Sequence, residues 1–140
     1  MIRPALPLAL GLASLSLAAS ATIAPSEKPV AVTGSITYRE RIALPPTAQV
    51  EIRLEDVSLA DAPSRTIAQQ NFTADGRQVP FAFRLTVDQR RLVRRHRYAI
   101  SARITDAAGR LMFITDTNNA VAFDGRPAID MGMLTLVKTN

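Results

Sequence analysis

The strongest constraint on this chain is a recurring alternation of apolar and polar residues with a period of two. Val50, Ile52 and Leu54 alternate with Glu51, Arg53 and Glu55, so an extended backbone sends three aliphatic side chains to one face and three charges to the other. Val79, Phe81, Phe83 and Leu85 repeat the pattern around Ala82 and Arg84. Tyr98, Ile100, Ala102 and Ile104 do so again, between Ala99, Ser101, Arg103 and Thr105. Each stretch predicts a half-buried strand, with Phe81, Phe83, Tyr98, Ile100 and later Phe113 directed into a core.

Four weaker segments fill the intervals. Val32, Ile36 and Tyr38 share a parity, and Gly34 between them predicts a bulge or a close backbone approach. Thr66 to Phe72 is a polar strand candidate in which Ile67 and Phe72 fall on opposite parities. Leu111, Phe113 and Thr115 follow a turn, Asp106-Ala107-Ala108-Gly109, whose glycine suits the left-handed conformation that ends a hairpin loop. Ile129 to Val137 changes parity near Gly132, as a bulge requires. Pro45-Pro46, Asp61-Ala62-Pro63-Ser64, Asp75-Gly76 and Asp124-Gly125-Arg126-Pro127 punctuate the series. The expected fold is all-β: a single-domain antiparallel β-sandwich of about seven strands, immunoglobulin-like or transthyretin-like, over residues 30–140, with a small β-barrel as the alternative. Asp88 to His96 offers at most a helical turn, opened by Val87-Asp88-Gln89-Arg90.

Ahead of this domain the pattern changes. Arg3 is followed by an apolar run from Ala5 to Ala19 and then by Ala19-Ser20-Ala21, a small-residue cleavage pattern, so residues 1–21 read as a signal peptide. The run contains Pro7 and falls short of the roughly 20 residues a bilayer span needs. Residues 22–29 lack apolar period and read as a flexible leader. An exported, periplasmic protein is the expectation, peripheral to the outer membrane if it meets that membrane at all. The 140 residues include no cysteine, so an exported domain of this kind must be held by its core alone.

The same count excludes a cysteine nucleophile, a thiolate metal site and an acyl-cysteine anchor, and a single histidine excludes a multi-histidine metal centre. There is no G-x-S-x-G elbow, phosphate loop or H-E-x-x-H pair, and the carboxylates form no convincing acid/base pair. No catalytic, metal or cofactor residue is therefore expected. His96 reads as an exposed loop imidazole next to the Tyr98 strand, among Arg94, Arg95 and Arg97. What stands out is basic: Arg90, Arg91, Arg94, Arg95 and Arg97 put five guanidinium groups in eight positions, a candidate anion-binding surface. Without interleaved aromatics for base stacking, an anionic membrane or polysaccharide suits this run better than nucleic acid, which is not expected as a partner.

The order of segments adds a resemblance. Val32-Thr33-Gly34-Ser35-Ile36-Thr37-Tyr38-Arg39-Glu40-Arg41-Ile42-Ala43-Leu44-Pro45-Pro46, followed by Val50-Glu51-Ile52-Arg53-Leu54-Glu55-Asp56-Val57-Ser58, resembles the YbaY-like family, grouped with the YscW-type type III secretion lipoprotein chaperones. Ala62-Pro63, Gly76-Arg77-Gln78-Val79-Pro80-Phe81, the Tyr98 to Asp106 stretch and Gly109 to Thr117 match in the same order, so the resemblance covers about residues 31–117. It implies a non-enzymatic β-sandwich domain of the bacterial envelope. In the better understood branch, pilot lipoproteins bind a secretin subunit and help deliver it to the outer membrane. Many members begin, once processed, with a lipidated cysteine, whereas here Ala21 is followed by Thr22, so the expected product has no lipid anchor. The resemblance thus implies an envelope client such as a secretin-like subunit.

Overall fold

The computed structural model describes residues 28–139 together with Pro4. Apart from Pro4, the expected signal segment lies outside the described residues, as do all but the last two positions of the leader. Eight strands follow in chain order: β1 (Pro29–Tyr38), β2 (Gln49–Asp56), β3 (Arg65–Thr73), β4 (Phe81–Asp88), β5 (Tyr98–Thr105), β6 (Leu111–Ile114), β7 (Asn119–Val121) and β8 (Ala128–Lys138). They form one sheet in the order β3-β2-β5-β6-β8-β1-β4, with β7 also paired to β5.

The two ends of that order, β3 and β4, come back beside each other. No ladder joins them among the described residues, but the Gln70 side-chain oxygen accepts the Arg84 N–H at 2.9 Å, and the Phe72 and Phe81 rings meet edge to face at 5.5 Å. The molecule is therefore a nearly closed barrel, the alternative architecture, and not two facing sheets. One pair also departs from the antiparallel expectation: β1 and β8 run parallel, from Ala31 opposite Ala128 to Tyr38 opposite Leu136. Alternation along a strand is the same in a sandwich and a small barrel, since both bury one face of every strand.

The strands supply the core as their parity predicts. Val32, Ile36, Val50, Ile52, Leu54, Leu85, Ile100, Ile104, Phe113 and Leu136 are essentially fully buried, and no polar or charged residue is buried among those described. Burying each large aliphatic contributes about 1.5–3 kcal/mol relative to leaving it in water. β4 starts at Phe81, two residues beyond Val79, because Pro80 has no N–H for a ladder. The parity conflict in β3 is a bulge: Leu54 pairs with Ala68 and Glu55 with Thr66, leaving Ile67 as the extra residue. β8 is bulged as well, since Thr33 pairs with Asp130 but Ser35 with Met133, and Gly132 takes φ +68° there. The helical segment is a short 3-10 turn, Gln89–Arg91.

Strand directions assign the loops to two ends. The end where β1 begins also holds the β2–β3 loop (57–64), the β4–β5 loop (89–97) and the β7–β8 loop (122–127). The opposite end holds 39–48, 74–80 and 106–110.

Candidate functional site

The arginine run occupies the β4–β5 loop, and the structure explains how a run of like charges is held in one shape. Asp88 caps the 3-10 turn, its side chain accepting the Arg90 N–H at 3.0 Å and the Arg90 guanidinium at 2.6 Å. The Arg90 contacts hold the Asp88 carboxyl down to about 2. Further along, Val93 N–H donates to the Tyr98 hydroxyl at 2.8 Å and His96 N–H to the Val93 carbonyl at 3.1 Å. Between them Arg95 adopts φ +73°, a left-handed conformation that an arginine adopts at a steric cost.

A second set of bonds ties this loop to the β2–β3 loop. His96 Nδ1 lies 2.6 Å from Asp56 Oδ2, Val57 N–H donates to the Arg97 carbonyl at 2.8 Å, and Arg97 N–H donates to Ser58 Oγ at 2.8 Å. Ser58 in turn donates from its hydroxyl to Asp56 Oδ1 at 2.5 Å. That hydroxyl, and after it the His96 bond, hold the Asp56 carboxyl below its ordinary value against the opposing effect of burial. Serine, histidine and aspartate thus meet, but the serine hydroxyl is committed to the carboxylate and not to an imidazole nitrogen. The nucleophile–base contact of a hydrolytic triad is missing, and the cluster works as a clasp between loops.

The five sequence-identified arginines therefore share one loop but not one state. Arg90 is engaged by Asp88, whereas Arg91, Arg94, Arg95 and Arg97 are exposed with no ion-pair partner among the described residues. Sequence reasoning missed Arg65, the first residue of β3, which lines with Arg91, His96 and Asp56 a cleft of about 240 Å³ over Ile67, Val93 and Tyr98. Nothing local marks Arg65: the β2–β3 register sets it opposite Asp56, to which His96 is bonded. No group of His, Asp and Glu side chains among the described residues is arranged to hold a metal ion.

A different kind of opening lies on the barrel wall. β6 and β8 pair through Phe113 with Lys138 and Ile114 with Val137, extended by a bond from Thr139 N–H to the Met112 carbonyl at 2.9 Å, after which the chain leaves β8 and follows β5 into β7. The β8 segment from Met133 to Val137 lines a cleft of about 400 Å³, rimmed by Arg39, Glu40, Asp116 and Asn119. Leu134 and Leu136 point into the core, while Met133 stands 55% exposed beside the opening. An unpaired strand edge next to an exposed apolar side chain has the makings of a site for an added peptide segment.

Comparison with known proteins settles the family. The type III secretion system lipoprotein chaperone family (YscW) matches residues 27–133. The chain belongs to this family. Among its relatives is the uncharacterized lipoprotein YbaY of Escherichia coli (strain K12), 37% identical over 120 residues, which are 86% of this chain and 63% of that protein. The chain thus spans somewhat less than two thirds of the relative's length. Among solved structures it is similar to an alternative pilotin from the type II secretion system of Vibrio cholerae, with 49% identity, a TM-score of 0.67, and coverage of 79% of this chain and 99% of the pilotin. The YscW family is described by a chaperone role and not by a reaction, so the chain is non-enzymatic on the strength of its family.

Proposed function

We propose that this protein is an exported envelope chaperone of the pilotin kind, which receives a segment of a secretin-like subunit and assists its delivery to the outer membrane. The carrying observation is the 49% identity to a type II secretion pilotin over 99% of that protein's length, which makes the whole pilotin domain the counterpart of this barrel. The lipoprotein relative supports the same compartment. Within the barrel, the cleft beside β8 is the place for the client: an extended segment laid along the free edge gains backbone hydrogen bonds, while Met133 supplies apolar contact and Arg39, Glu40 and Asp116 a charged rim.

Deleting the gene in the organism that encodes it is expected to move the secretin-like subunit from the outer-membrane fraction to the inner-membrane fraction. Restoring the wild-type gene reverses this, while Met133→Glu, which replaces the exposed apolar contact beside the cleft with a charge, binds the client about tenfold or more weakly and restores poorly. An unchanged secretin distribution in the deletion strain contradicts the reading.

A further inference from the structure

We infer that the end of the barrel carrying the arginine loop is a docking surface for an anionic phospholipid membrane. This stands apart from the client cleft, which lies on the wall beside β8.

Charge comes first. Arg65, Arg91, Arg94, Arg95 and Arg97 all lie at this end without an ion-pair partner among the described residues, and Lys28 lies there too. The carboxylates of the same end are mostly occupied: Asp88 by Arg90, Asp124 by Arg126 and Asp56 by Ser58 and His96, leaving exposed Asp61. The surplus positive charge is therefore free to meet an outside partner. The cleft of about 240 Å³ at this end is lined by Arg65, Arg91 and His96 and also by the Asp56 carboxylate, so a lipid phosphate is met by the guanidinium groups at its rim and not within it.

Apolar exposure separates a membrane from a soluble polyanion. Of the exposed large hydrophobic side chains, Leu59 (73%) and Val93 (52%) both stand on this end, one on each of the two clasped loops. Aliphatic side chains set among arginines suit the boundary between headgroups and acyl chains, where the guanidinium groups remain with the phosphates. A sulfated or phosphorylated polysaccharide offers nothing for them to enter. The clasp from His96 to Asp56 and from Arg97 to Ser58 fixes the two loops as one face before any contact, and the left-handed Arg95 keeps a cation at a turn where glycine fits more easily.

The point of chain entry agrees. Gln89 N–H donates to the Lys28 carbonyl at 2.9 Å, so the described chain enters the domain at this end and not at the other. A membrane-facing orientation of the arginine end leaves the β8 cleft open at the side of the barrel.

The test uses the full chain with vesicles of phosphatidylglycerol and phosphatidylcholine, compared with phosphatidylcholine alone. Each basic residue beside an anionic leaflet is worth about fivefold in binding, so replacing Arg91, Arg94 and Arg95 by Gln is expected to weaken binding roughly a hundredfold at low salt. Wild type and variant share their first 27 residues, so the difference between them reports this face. An unchanged melting temperature shows that the variant is folded. Because the chain has no cysteine, Val93→Cys and Met133→Cys each give one labelling position. A fluorophore at position 93 is expected to become shielded from an aqueous quencher on anionic vesicles, and one at position 133 to stay accessible. Equal binding to phosphatidylcholine alone, unchanged binding of the triple variant, or capture by soluble dextran sulfate with none by vesicles overturns the inference, the last in favour of a polysaccharide.

Discussion

Gly34→Val is expected to destabilise the barrel by about 3 kcal/mol or more, and Gly34→Ala by about 1–3 kcal/mol. A Cβ at this position would lie 2.8 Å from the Gly132 carbonyl oxygen and 2.8 Å from Phe83 Cζ. The first neighbour is backbone in the β8 bulge and the second belongs to a phenylalanine that is only 4% exposed, so neither moves without disturbing a strand or the core. Gly34 has no positive φ, so its requirement is space and not conformational freedom. Substituting glycine also restricts the unfolded chain, which favours folding by about 0.4–1 kcal/mol, less than the overpacking costs. Valine adds two branches in the same direction and is expected to weaken the parallel β1–β8 contact on which barrel closure depends. Urea unfolding of both variants measures the loss, as a lower midpoint with an unchanged slope if the denatured state is unaffected.

Phe113→Ala is expected to cost about 3–5 kcal/mol. The ring is 1% exposed and stacks on Tyr38 with centroids 3.9 Å apart and an interplanar angle of 7°, and Phe113 also pairs with Lys138 in the narrow β6–β8 join. Removing it leaves a cavity beneath the short β6–β8 ladder and strands a tyrosine whose hydroxyl is fixed to the Ile42 carbonyl at 2.5 Å. Phe113→Leu, which keeps most of the volume, is expected to lose less than about 1.5 kcal/mol. Thermal unfolding of the pair separates the cavity from other effects, because a deficit equal in both variants would show that packing volume is not what Phe113 supplies.

How far these features could be read in advance depends on whether their cause is local. The strands around Ile52, Phe83 and Ile100 were legible because burial of one face leaves a period of two in the residues themselves. The bulge at Gly132 and the close approach at Gly34 were legible too, the first from a parity change and the second from a glycine within a strand. What makes Gly34 necessary, the carbonyl of Gly132, is nearly a hundred residues away and leaves no local trace. The choice of barrel over sandwich was likewise not visible, since it rests on the parallel return of β8 beside β1. β7 escaped notice because a three-residue strand with only Val121 buried has no period to detect.

The sites divide in the same way. The arginine loop was plain as a run of charge, but the engagement of Arg90 by Asp88, the contribution of Arg65 and the clasp through His96 depend on tertiary contacts. The β8 cleft had no sequence signal at all. It exists because the chain turns away from β8 after Ile114, and unpaired strand edges are a property of topology. Met133 is the one residue there that could have drawn attention, as an apolar side chain beyond a bulge that turns it outward.

The central claim is that the cleft beside β8 receives a secretin-like client. It is tested most directly by placing a photo-crosslinking amino acid at position 133 and irradiating cells of the organism that encodes the protein. Gln69, exposed on β3 across the barrel, is the control position. A covalent adduct with the secretin-like subunit is expected from position 133 and none from position 69. No adduct from the folded protein at position 133, or equal adducts from both positions, contradicts it.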